Sequence, residues 1–124
     1  MLTLNAKERI EILRNGEVIS EDVKQMVLAA ADWLSKRQVN VDSDSCQMFI
    51  THLAMCLDRN DRGENVSALP KSMMDEVRSS EGYGLACEFV GYMENLLNKK
   101  LPESEKGYIL LHVSNLKEKE NKRD

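Results

Sequence analysis

Proline and glycine are scarce here, with two and six among 124 residues. So few chain breakers leave little with which to build the frequent turns of a β-sandwich, and strand-like alternation is absent, which points to helices instead. Aromatic residues are also few, at 5%. No apolar run approaches the roughly 20 residues needed to cross a bilayer. The opening "MLTLNAKERIEILRNG" meets charge too early for a secretory signal. Cysteine occurs three times, at Cys46, Cys56 and Cys87, with no CxxC pair. An odd, widely spaced set reads as reduced thiols packed as small hydrophobes, and hence as a cytoplasmic protein. The net charge is −4 and the basic residues form no stripe, which disfavours direct nucleic-acid binding. No GxSxG elbow or GxxxxGK loop is present, so neither a serine hydrolase nor a P-loop enzyme is expected, and no cofactor is implied.

What is present is an ordinary globular balance of 42% hydrophobic and 31% charged residues, in a chain long enough to bury a core without disulfides or metals. Asn5 and Glu8 have capping-box spacing and open a first helix that ends at Asn15-Gly16. Ser20, followed by Glu21 and Asp22, opens a second, in which Val23, Met26, Val27, Ala30 and Leu34 recur at helical spacing. A third covers about Ser45 to Asp58, with an apolar stripe of Phe49, Leu53 and Leu57 widened by Met48, Met55 and Cys56. "RNDRGENVS" reads as an exposed loop, and Pro70 suits the first turn of a short fourth helix in which Asp75 and Glu76 form a solvated face. A fifth spans "SSEGYGLACEFVGYMENLLNKK", where Gly84 and Gly91 mark close approach of another helix. The last opens at Pro102 and runs into a charged, fraying end, "KEKENKRD". No repeat or low-complexity segment appears, so the reading is an all-α bundle of five or six helices.

Only two histidines occur, His52 and His112, each in an apolar helical stretch that reads as core-facing. At helical spacing His112 shares a face with Tyr108 and Glu105, and His52 with Met48, Cys56 and Arg59. One histidine has a phenol and a carboxylate nearby; the other has a guanidinium within two turns. This suits phosphoryl acceptance, in which a neutral ring nitrogen attacks phosphorus and the added charge needs cationic support. Arg59 could supply it in bidentate geometry. Spacing alone nonetheless favours the plainer reading that each histidine is a half-buried core residue with one satisfied hydrogen bond. Metal binding through His52 and Cys56, completed by Cys87 and His112, is a weaker alternative because no second compact ligand pair exists.

The stretches around both histidines resemble the PTS regulation domain, or PRD, the helical module of bacterial antiterminators and activators controlled by the sugar phosphotransferase system. The first motif stands as "HLAMCLDR", His52 to Arg59, followed by a polar loop with Gly63 and Asn65; the second as "EKGYILLH", Glu105 to His112, preceded by Pro102. The resemblance spans roughly residues 20 to 118 and uses both histidines. It departs from the family at Thr51, where an acidic residue often precedes the histidine, and at Met55, where an aromatic is expected. Family members typically carry an RNA- or DNA-binding domain and two tandem modules, whereas this chain resembles a single stand-alone one.

The resemblance implies a five-helix bundle, two antiparallel helix pairs plus a shorter connecting helix, with an additional short N-terminal helix. The implied organisation is an N-terminal extension over 1–19, the PRD-like domain over 20–118 and a charged tail over 119–124. It implies a homodimer with the histidines near the dimer interface, regulated by phosphorylation of His52, His112 or both, with HPr or a sugar-specific phosphotransferase component as donor. Arg59 then supports the phosphate, and Glu105 and Tyr108 orient or screen His112. A non-phosphorylated helical dimerisation or adaptor module is the alternative from a different class.

Overall fold

The computed structural model describes residues 5–61, 63 and 68–121. Among them are six helices and no strand: α1 (Ala6–Asn15), α2 (Glu21–Lys36), α3 (Asp44–Asp61), α4 (Lys71–Arg78), α5 (Tyr83–Leu97) and α6 (Glu103–Asn121). The chain divides into two compact units, Met1–Glu64 with α1 to α3 and Asn65–Asp124 with α4 to α6.

In the first unit, local chemistry starts each helix where the sequence indicates. The Asn5 side chain accepts from the Glu8 amide at 2.8 Å and the Glu8 carboxylate accepts from the Asn5 amide at 3.0 Å, a complete capping box. α1 ends as Gly16 N–H donates to the Ile12 carbonyl at 3.0 Å. Ser20 caps α2 by accepting from Val23 N–H at 3.2 Å, and Glu21 and Asp22 complement the positive end of the helix dipole. At the other end the Arg37 guanidinium lies 3.7 Å from the centre of the buried Trp33 ring and donates to the Trp33 carbonyl at 3.2 Å.

α1 packs on both α2 and α3 through the buried Ala6 and Ile10. A polar seam joins it to the start of α3: Asp42 Oδ1 accepts from Ala6 N–H at 2.8 Å, Arg9 Nε donates to Gln47 Oε1 at 3.0 Å, and Gln47 Nε2 donates to the Asp42 carbonyl at 3.0 Å. Gln47 is buried, and these bonds offset the cost of placing its amide in the core. On the surface, Lys24 pairs with Glu11 at 2.8 Å and Arg14 with Glu21 at 3.4 Å.

In the second unit α6 packs on α5 and on α4. The α5–α6 connection is pinned by Glu94, whose carboxylate accepts from Leu101 N–H at 2.7 Å and lies 3.8 Å from Lys106 Nζ. α5 ends at Asn98 in the left-handed conformation, φ 56°, which Asn tolerates better than most residues other than glycine. Asp75 and Glu76 on α4 are exposed, as expected of a solvated face.

Three expectations change. α3 continues to Asp61, past the expected end at Asp58, because no helix breaker intervenes before Gly63. The remainder of "RNDRGENVS", residues 62 and 64–67, lies outside the described residues, as does the last part of the charged tail, residues 122–124. Pro70 is the N-cap of α4 and not its first-turn residue. Gly84 and Gly91 are not close-approach positions: a Cβ at either would meet nothing within 4 Å. The close approach is at Gly82, where a Cβ would run into the backbone of Ser114 on α6. Gly82 precedes α5, outside the helical periodicity in which Gly84 and Gly91 drew notice.

Candidate functional site

α3 is buried around most of its circumference. Cys46, Gln47, Phe49, Ile50, Leu53, Ala54, Cys56 and Leu57 all lie in the core. What remains is a narrow outward stripe of Asp44, Met48, His52 and Met55, continued by the half-buried Asp58 and Arg59. His52 is exposed and Arg59 is intermediate, with its Nε shielded from solvent. The expectation of a core-facing His52 is thereby corrected. So is the assignment of Met48 and Met55 to the apolar core stripe, since they are 63% and 41% exposed. The sequence hid this because nearly every position from 46 to 57 is apolar, so periodicity does not say which narrow face is left to water. The signal that could have found the two methionines is their offset from His52, four before and three after, which makes them share whatever face it takes.

Seven residues separate His52 from Arg59, about 10.5 Å along the axis. Helical side chains lean toward the N-terminus, and Arg59 stands on the C-terminal side of His52. Its guanidinium is permanently charged and planar, suited to a phosphoryl group on an imidazole nitrogen.

His112 is half-buried on α6, between the exposed Tyr108 and Asn115 on one side and the buried Leu116, Ile109 and Glu105 on the other. Glu105 is 1% exposed and occupies the first turn of α6, where the helix dipole favours a carboxylate. It is also about 10.5 Å from His112 along the axis. The residue one turn below His112 is Tyr108. His52 and Arg59 thus belong to the first unit, while Glu105, Tyr108 and His112 belong to the second.

The structure does not assemble the weighed metal ligands on α3. Cys56 is buried while His52 faces outward, and among the described residues no group of three or more His, Cys, Asp or Glu could hold a metal ion. Cys87 is exposed on α5. No helix among the described residues is long and apolar enough to cross a membrane.

The chain is all-helical, with one histidine on an outward helix face and a second half-exposed on another helix. It belongs to the PRD domain family, whose model matches residues 30–116. Its six helices are those of a PRD helical bundle with an additional N-terminal helix. The match begins inside α2, so α1 lies before it. PRD domains are regulatory modules, not catalytic ones, typically phosphorylated by components of the phosphotransferase system. No curated protein and no solved structure matches the chain.

Proposed function

We propose that this chain is a regulatory phosphoacceptor, phosphorylated on His52, His112 or both by HPr or a sugar-specific phosphotransferase component. The observation that carries the reading is the exposure of His52 on the outward stripe of α3, with Arg59 two turns further along. A ring nitrogen there can meet a donor protein without any part of the core opening. His112, half-exposed beside Tyr108, is the second acceptor.

Phosphorylation adds about two negative charges. Placed on a helix face, that charge shifts the geometry of a homodimer or the affinity for a partner through repulsion and new guanidinium pairs. Arg59 supports the phosphate on His52. Glu105 and Tyr108 orient or screen His112.

The test is phosphotransfer from phosphoenolpyruvate through the general phosphotransferase enzyme to HPr, and separately to a sugar-specific component. Acid-labile phosphate is mapped by mass spectrometry at neutral or basic pH. His52→Ala and His112→Ala should each remove their own phosphopeptide, and the double variant should take no label while keeping its helical content. Absence of label on the native chain with either donor would replace this reading with a helical dimerisation or adaptor module.

A further inference from the structure

Of the ten residues in α1 only Ala6 and Ile10 are buried, whereas α2 buries six and α3 is buried around most of its circumference. Much of the remaining hold on α1 is polar. Ala6 N–H donates to Asp42 and Arg9 Nε to the buried Gln47, while Glu11 and Arg14 make surface ion pairs with Lys24 and Glu21. Such surface pairs contribute little in water. Polar and apolar anchors also differ in what separation costs. Undocking an apolar side chain exposes surface that water hydrates unfavourably, whereas Arg9 and Gln47 on parting both gain hydrogen bonds from water. A polar seam therefore fixes the register of the docked helix and leaves the undocked state close in free energy. Segments with few buried apolar contacts open locally, well below the free energy of global unfolding. The body beneath does not need α1 to hold together: α2 and α3 pack on each other directly, and the family match begins beyond α1.

We propose that α1 is a detachable strap, which lifts from α2 and α3 as a unit while those two stay packed, and that the Arg9–Gln47 seam is its latch. Lifting acts on α3, the helix that carries His52, and Gln47 is the point of linkage. Its side chain accepts from Arg9 and donates to the Asp42 carbonyl just before α3, at 3.0 Å each. Its own carbonyl accepts from the Thr51 hydroxyl at 3.0 Å, one residue before His52. With the strap closed, the first turns of α3 are tied to α1 through this residue. With it open, Gln47 and Asp42 turn to water and those turns loosen. The device rests on the seam alone and is independent of the phosphoacceptor reading.

The test is native-state amide hydrogen exchange on the full chain, resolved by residue. Amides of residues 10–15 in α1 should exchange about tenfold or more faster than those of residues 27–34 in α2, which open only with the whole unit. Two variants then move the latch in opposite directions. Arg9→Ala leaves the Gln47 amide without its charged donor and should speed exchange in α1 by about tenfold, with residues 27–34 unchanged. Arg9→Met with Gln47→Leu replaces the seam by an apolar pair of similar length and should slow exchange in α1 by about threefold. Equal exchange of α1 and α2 in the native chain would overturn the strap, and that measurement needs no variant to fold. Acceleration of α2 in step with α1 in Arg9→Ala would overturn it as well, since α1 would then belong to one cooperative body. Faster exchange of α1 in the apolar double variant would overturn the latch.

Discussion

Gly82 and Gly84 lie two residues apart, and the structure assigns opposite signs to the same substitution at each. A Cβ at Gly82 would overlap the Ser114 carbonyl oxygen and lie 2.8 Å from Ser114 Cα and 3.0 Å from Lys117 Cβ. Two of these obstacles are backbone, so relief requires α5 and α6 to move apart. The Gly82 backbone, φ −83° and ψ −1°, is open to alanine, so the unfolded-state gain of about 0.4–1 kcal/mol is available. It is outweighed by an overpacking cost of about 1–3 kcal/mol. Gly82→Ala should therefore destabilise by about 1.5 kcal/mol, which lowers a urea midpoint by about 0.7 M at an ordinary denaturant slope. At Gly84 a Cβ would meet nothing within 4 Å, and alanine in a helix gains about 0.5–1 kcal/mol over glycine. Gly84→Ala should raise the midpoint by about 0.3–0.5 M. Urea titrations followed by circular dichroism read both. Midpoints that move in the same direction would refute the claim that the α5–α6 approach is set at Gly82.

Three further outcomes are expected. Asp42→Ala removes the acceptor of Ala6 N–H, a bond of 2.8 Å, and should cost about 1 kcal/mol, read as faster amide exchange in the first turn of α1 with α6 unaffected. The Glu21 carboxyl is held below its usual range, first by the Gln25 hydrogen bond and then by Lys24 and Arg14, so its contribution is present above its unfolded value and is lost as pH falls through the lower folded one. Lys24 is raised, chiefly by its bond to Glu11, so its contribution holds below its unfolded value and fades as pH climbs through the higher folded one. Glu21→Gln should flatten the acid limb of a midpoint-against-pH profile and change the alkaline limb less, because Glu11 is the larger partner of Lys24; an unchanged acid limb would refute the assignment. Arg59→Ala should slow labelling of His52 by about tenfold, the loss expected of one charge-assisted contact, while His112 labels as before in site-resolved mass spectrometry.

Helix starts were legible because their signals are local. The Asn5–Glu8 box and the Ser20 cap link residues three apart, so no tertiary contact is needed to read them. The family resemblance was legible for a related reason: its two motifs each sit within one helix. The outward direction of His52 was not legible, because it depends on what packs against α3 from α1 and α2, and the apolar residues around it fit several faces equally. The Gly82 contact was hidden likewise, since its partner Ser114 lies 32 positions on, in another helix. Gly84 and Gly91 stood out in the sequence by their cost to α5, yet cost alone does not reveal what lies opposite.

The ring stacked under Arg37 belongs to Trp33, the only tryptophan in the chain, and it lies in the first unit. All three tyrosines, Tyr83, Tyr92 and Tyr108, lie in the second. The protein thus carries a separate native fluorophore class in each half. Tryptophan emission follows the surroundings of Trp33 on α2, and phenol absorbance those of the tyrosines on α5 and α6. Coincident or split transitions in the two signals would report directly whether the halves unfold as one cooperative body.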